Sequence, residues 1–180
     1  MSETRSNGSD GATDAEVGVA PSAASGPQLT PEQVWHDVGK ASFAVISYVT
    51  PTGDPRSSGV LFKAVGRRLF VVVAPDSWKA RHIAVTGRAA VTVPIRRGGL
   101  LSLVAPIPPA TVSFHASAVV HPAGSMAIPP ELEGLVPPER RDSSCIIEIE
   151  PEGMFVTYGV GVPLLTMRTP AKSRARVPVS

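Results

Sequence analysis

Short runs of β-branched and aromatic residues recur along most of this chain, and turn-forming residues separate them. The runs cover residues 42–49, 56–65, 68–73, 89–95, 111–121, 144–150, 154–158 and 163–168. Residues 51–54, 66–67 and 151–153 have the composition of turns between strands. Many short strands with few helices favour a closed β architecture over a sheet of β-α-β units. We therefore predict a mainly β protein, a Greek-key barrel of six to eight strands with a few short helices.

Two short helices are predicted beside these strands. Thr30 and Gln33 form a capping box that begins a helix reaching to about residue 38. A second helix over residues 77–86 is capped by Asp76 or Ser77 and ends at Gly87. A single helical turn is expected near residues 131–135.

The ends of the chain differ in charge from its body. Residues 1–27 carry net charge −3, residues 168–180 carry +4, and the whole chain carries +2. The first 28 residues lack a hydrophobic period and are predicted to be disordered, residues 29–168 to form one domain, and residues 169–180 to form a basic, solvated tail. No secretory signal pattern precedes the domain, so we expect a cytoplasmic protein, and no nucleic-acid partner is expected.

Ser77 and Lys79 form the motif that points most directly to a ligand. They lie in a loop that follows the strand over residues 68–73 and opens a helix. A helix N-terminus presents free backbone N–H groups and a partial positive charge, which suit an anion such as phosphate. The motif beside an apolar sheet therefore indicates a phosphorylated cofactor lying on a β scaffold.

The order of strand, hairpin, strand, Ser-x-Lys loop and helix over residues 57–95 resembles the pyridoxamine 5′-phosphate oxidase-like proteins, the flavin-binding split-barrel family. The resemblance covers roughly residues 30–168 and is strongest at 58–63 and 72–83. It implies a split β-barrel and a homodimer that holds FMN between its subunits. It also implies that the cofactor is contacted by Ser58, Gly59, Val60, Leu61, Lys63, Val72, Val73, Ser77, Trp78 and Lys79.

The chain departs from the family pattern at several of these positions. Ser58 stands where the family often has a basic residue, although Arg56 lies two positions earlier on the same strand face. Val72 and Val73 replace an aromatic-hydroxyl pair, so their side chains pack against a flavin without hydrogen-bonding it, and the backbone of Val73 and Ala74 is left to make such bonds. The C-terminal region lacks the histidine with which true pyridoxamine phosphate oxidases grip their substrate, so vitamin B6 oxidation is not expected.

Several functions remain open at this level. The resemblance implies an FMN-dependent oxidoreductase that transfers hydride to or from a small organic substrate. The deazaflavin F420 is the alternative cofactor, because it shares the ribityl phosphate. A non-catalytic flavin carrier is a further hypothesis, and a barrel that binds haem is another.

Other residues that often carry chemistry favour structural roles. The four histidines have no metal-ligand spacing, so no metal site is predicted. Cys145 lies in a strand-like run and is expected to be a buried, inert thiol. The apolar segment 98–109 is interrupted by proline and is too short to span a bilayer, so no stable membrane insertion is expected. A lid, a dimer contact and a membrane-surface loop remain open for it, and the exposure of such a patch in a monomer favours the first two.

Overall fold

The structure is a computed structural model that describes residues 26–97, 107–126, 128–136 and 138–180. Eight strands make one antiparallel sheet. They are β1 Phe43–Val49, β2 Pro55–Leu61, β3 Lys63–Val65, β4 Arg68–Val73, β5 Arg88–Ile95, β6 Ala110–His121, β7 Cys145–Tyr158 and β8 Arg174–Pro178. The helices are α1 Pro31–Lys40, α2 Trp78–Thr86 and the single turn α3 Pro170–Ser173, with 3₁₀ helices at Pro130–Leu135, Pro138–Ser143 and Leu164–Arg168.

The strand order makes the sheet curl upon itself. Hydrogen-bonded neighbours follow the order β2-β1-β5-β6-β7-β4-β3, and β8 pairs with the second half of β7. The two ends of this path, β2 and β3, are consecutive in the chain and are joined through Phe62 alone. The backbone N–H of Phe62 donates to the carbonyl of Ser42 at 3.0 Å, which fixes this link beside the start of β1. The result is the split barrel that the sequence predicted.

The barrel interior is filled by the inward-facing residues of alternating strands. Ile46, Val91 and Val112 are almost wholly buried, and their neighbours along each strand are more exposed. Helix α1 covers the core with its buried Val34 and Val38. It begins at the predicted capping box: the Gln33 N–H donates to the Thr30 hydroxyl, and the Thr30 N–H donates to Gln33 Oε1 at 2.9 Å.

Helix α2 also follows the prediction from its sequence. Ser77 is the N-cap, and Gly87 closes the helix in the left-handed conformation with φ +64°. Ala80 and Ile83 are buried against the barrel. The predicted helical turn near residues 131–135 is a 3₁₀ helix, Pro130–Leu135, and Cys145 is a buried free thiol as expected.

The predicted turn at residues 151–153 is wrong, because β7 runs through it. The pairing of β6 with β7 shifts register between Ser113 and His115, where β7 contains extra residues. Gly153, at φ +67°, accommodates this bulge, while Pro151 remains buried within the strand. A proline lacks the N–H that a ladder needs, so its presence beside an irregularity is expected.

The predicted strand over residues 56–65 is in fact two strands at the two edges of the sheet, because the strand is interrupted at Phe62. The predicted strand over 163–168 is also wrong. Leu164–Arg168 is a 3₁₀ helix, and Tyr158 donates its hydroxyl to the Met167 carbonyl at 2.8 Å within this segment.

The predicted boundary between the domain and a basic tail at residue 168 does not hold. Residues Arg174–Pro178 form β8, which pairs with Met154–Tyr158 of β7. Val177 is buried in the core, while Arg174 and Arg176 face outward. The segment forms a strand because apolar and basic residues alternate in it, which places the apolar side chains in the core and the basic ones in solvent.

The prediction for residues 98–109 lies mainly outside the described residues, since only 107–109 are described, and that for the first 28 residues lies outside them up to residue 25. Among the described helices, none combines the length and the apolar character that crossing a membrane requires.

Candidate functional site

A cavity of about 320 Å³ lies where the barrel is split, between β2 and β4. We call it the seam cavity. Six of the ten predicted site residues line it: Gly59, Val60, Leu61, Val72, Val73 and Lys79. Ala74 and Leu135 complete the lining. The predicted residues therefore come from two strands, β2 and β4, whose proximity no local sequence pattern indicates.

Two unpaired strand edges face the seam. On β2, residues Gly59–Leu61 pair with β1 along one edge only, and on β4 the pairing with β3 stops at Phe70. Val71–Val73 pair with β7 on the opposite edge. In the described part of the chain no ladder joins β2 to β4. Because no strand pairs with these two edges, their outward-pointing backbone N–H and C=O groups are available to hydrogen-bond a ligand.

Positive charge is concentrated at one wall of this cavity. Lys79 is half-buried there, and among the described residues it forms no ion pair with a carboxylate. It stands in the first turn of α2, which contains no acidic residue. The free N–H groups of that turn add the partial positive charge of a helix N-terminus. The wall is suited to an anionic group.

Ser77 has a capping role in the structure. Its Oγ accepts a hydrogen bond from the Ala80 N–H at 3.3 Å, and its own N–H donates to the Ala74 carbonyl. It orders the turn that carries Lys79, but it does not line the seam cavity. Lys63 also lies outside the cavity lining, exposed at the start of β3 opposite Phe70.

Ser58 and Trp78 line a different depression. It is a cleft of about 680 Å³ between the β1–β2 hairpin and α2, and we call it the aromatic cleft. Ser58 precedes Gly59 on β2, and Trp78 precedes Lys79 on α2. The ten predicted residues are thus divided between two adjoining segments of surface, with Ser77 and Lys63 outside both linings.

The absence of a side chain at Gly59 allows the Phe43 ring to lie close to the backbone of β2. A Cβ atom at this position would lie 3.0 Å from two carbon atoms of the Phe43 ring. Phe43 stands opposite Leu61 across the β1–β2 ladder, and both side chains are exposed. The face of β2 beside the seam cavity therefore carries exposed apolar side chains, with the Phe43 ring lying against Gly59.

Leu135 is the lining residue that sequence reasoning missed. It is carried by the 3₁₀ helix Pro130–Leu135, far from β2 and β4 in the chain. Its placement depends on the packing of this helix against Phe70 and Ile146. No local sequence signal points to a contact of this kind. Within the described ranges no cluster of His, Cys, Asp and Glu side chains has the arrangement of a metal site.

Neither a family model nor a curated protein matches this sequence. Solved structures do match the fold. A pyridoxamine 5′-phosphate oxidase-related, FMN binding protein from Nostoc punctiforme aligns with a TM-score of 0.50 and 10% identity, over 81% of this chain and 84% of its own. General Stress Protein 26 from Bacillus anthracis aligns with a TM-score of 0.52 and 15% identity, over 71% of this chain and 92% of its own.

A heme binding protein from Mycobacterium smegmatis has the same fold. It aligns with a TM-score of 0.59 and 13% identity, over 85% of this chain and 59% of its own length. Identities this low establish the architecture alone. The chain has the split-barrel fold that is also found in the pyridoxamine 5′-phosphate oxidase-related protein, and this confirms the fold that the resemblance implied.

Proposed function

We propose that this protein binds FMN in the seam cavity and acts as an oxidoreductase that transfers hydride to or from a small organic substrate. The observation that supports this most directly is the composition of the cavity: two open strand edges, an apolar wall and one cation, Lys79, at the N-terminus of α2. This is the set of contacts that a flat, apolar ring with hydrogen-bonding edges and a phosphate tail requires.

Each wall of the cavity has its own role in this proposal. Lys79 and the free N–H groups of the first turn of α2 hold the phosphate, in a position that Ser77 orders by capping the helix. The open backbone edges at Gly59–Leu61 and Val71–Val73 bond the polar edge of the ring. Val72 and Leu135 contact its apolar part.

When bound, the flavin supplies the hydride donor and acceptor, and the chain binds, orients and shields it. Among the described residues that line the cavity, Lys79 alone has an ionisable side chain. We therefore assign no proton-transfer role within this lining.

The proposal includes a homodimer, with the cavity mouth at the subunit interface. Phe43 and Leu61 are 44% and 61% exposed on the outer face of the β1–β2 ladder, beside Gly59. Exposed apolar side chains that border a ligand cavity are typical of a surface that a partner covers. A second copy of this chain is the partner that the family resemblance implies.

Three alternatives to an FMN-dependent oxidoreductase remain: a protein that uses F420, a flavin carrier and a haem-binding protein. F420 shares the ribityl phosphate and would use the same cation, and a flavin carrier would bind without turnover. Haem is the ligand named for the Mycobacterium smegmatis neighbour. His82 in the aromatic cleft is a described histidine that lines a cavity and that haem iron is able to bind.

The test is titration of the purified protein with FMN, F420 and haem, followed by absorbance spectroscopy and by turnover assays with reduced nicotinamide or reduced F420. We expect saturable binding of FMN with a perturbed flavin spectrum, and oxidation of the reductant. Binding of FMN without turnover would leave a carrier. A Soret band with haem and no flavin binding would overturn the proposal.

A further inference from the structure

The aromatic cleft, with a volume of about 680 Å³, is a cavity that the proposed function does not use. It lies between the turn that joins β1 to β2 and the outer side of α2. Three aromatic rings, one cation, one carboxylate and several hydroxyl groups line it. The aromatic and charged residues of this lining are Tyr48, Asp54, Arg56, Trp78 and His82.

The three rings form a continuous aromatic wall. The centroid of the His82 ring lies 5.7 Å from that of Tyr48 and 5.7 Å from that of Trp78. The guanidinium of Arg81 lies 5.4 Å from the centroid of Trp78. Trp78 remains 68% exposed after these contacts. An indole held in place by two neighbours, with most of its surface open, is a ready platform for a planar ligand.

Polar groups in the wall also lack partners. The Nδ1 atom of His82 is buried and has no hydrogen-bond partner within the described structure. Arg56 forms no ion pair among the described residues, whereas the Asp54 carboxylate already accepts the hydroxyls of Thr50 and Thr52. The cleft therefore holds one cation without an ion pair, Arg56, and one carboxylate, Asp54, whose hydrogen bonds are made within its own turn.

The aromatic cleft and the seam cavity are lined by consecutive residues of the same two elements. On β2, Ser58 lines the cleft and Gly59 lines the seam cavity; on α2, Trp78 lines the cleft and Lys79 lines the seam cavity. The residues that precede Gly59 and Lys79 in the chain thus belong to a lining that contains the aromatic ring of Trp78 and the guanidinium of Arg56. A mononucleotide ends at its phosphate and leaves that surface empty.

We propose that the aromatic cleft binds a second planar aromatic group joined to the flavin through its phosphates, so that the preferred cofactor is a flavin dinucleotide such as FAD. This inference rests on the proposed function. The second base stacks on Trp78 within the wall formed with His82 and Tyr48, and Arg56 pairs with the additional phosphate.

The test compares the dissociation constants of FAD and FMN by calorimetry, for the wild-type protein and for Trp78→Ala, Trp78→Phe and Val85→Ala. Val85 is the matched control, since it is 72% exposed on the same helix and does not line the cleft. We expect the wild type to bind FAD about tenfold more tightly than FMN, the effect of stacking one base on an aromatic side chain. Trp78→Ala should reduce this ratio to about one, while Trp78→Phe and Val85→Ala should largely retain it.

The outcomes separate this inference from the function on which it rests. Equal affinities of the wild type for FMN and FAD would overturn the inference and leave the proposed flavin site in place. A ratio that survives in Trp78→Ala would overturn it as well. Binding of neither flavin would overturn both proposals. Because Trp78 is exposed, circular dichroism of Trp78→Ala should match the wild type, which keeps the comparison free of unfolding.

Discussion

Replacement of Lys79 by alanine tests the seam cavity most sharply. Lys79 is half-buried, forms no ion pair in the described part of the chain and stands in the first turn of α2. A hydrogen bond to a charged group contributes about 1.5–3 kcal/mol. Because the ammonium is partly exposed to solvent, we take the lower half of that range, about 1.5–2 kcal/mol. Lys79→Ala should therefore weaken FMN binding by about 10- to 30-fold.

The assay is quenching of flavin fluorescence on titration with protein, at low and at high ionic strength. Riboflavin, which lacks the phosphate, is the matched ligand control, and its affinity should be the same for the variant and the wild type. Lys172→Ala is the matched protein control, because Lys172 is an exposed lysine of α3 that does not line the cavity. The effect of Lys79→Ala should shrink at high salt, since counter-ions screen a partly exposed charge.

Two results would refute this reasoning. Wild-type affinity of Lys79→Ala for FMN would show that the phosphate is held elsewhere. An equal loss of riboflavin and FMN affinity would show that the side chain supports the cavity rather than the anion.

Three further predictions concern the fold and its surface. Gly59→Ala should lower the free energy of unfolding by up to about 1 kcal/mol, because the new methyl group lies 3.0 Å from the Phe43 ring; urea denaturation in a Phe43→Ala background should show the penalty relieved. Val177→Ala should cost about 1–3 kcal/mol by the same assay, because Val177 is 1% exposed, whereas Arg176→Ala should change stability by less than about 0.5 kcal/mol; equal effects would contradict an integral β8. Leu61→Ser should shift the protein from dimer to monomer in analytical ultracentrifugation, and a monomeric wild type would refute the proposed interface.

The parts of the fold that local chemistry determines were predictable from the sequence. The Thr30–Gln33 capping box and the glycine end of α2 at Gly87 each depend on residues within a few positions of one another. Alternation of apolar residues likewise located the central strands. The split barrel itself was predicted through the family resemblance, because strand order is not encoded in any single segment.

Non-local packing decided the remainder. The bulge that keeps β7 continuous through Gly153 depends on its pairing with His115 of β6, so the same residues read alone as a turn. In β8 the alternation of Arg174, Ala175, Arg176 and Val177 is present in the sequence, but the pairing with β7 that makes this segment a strand depends on the fold. For the site, the β2–β4 grouping was predicted, while the contribution of Leu135 required the fold.

The link at Phe62 has a consequence for how ligand binding and barrel integrity are related. The two free edges of the sheet are held together there by covalent connection, while no ladder spans β2 and β4 in the described structure. A ligand bound between β2 and β4 holds the two edges together and reduces local opening of the barrel there. Its occupancy should raise the melting temperature with the logarithm of free ligand concentration. Slower amide exchange should then appear first at Gly59–Leu61 and Val71–Val73.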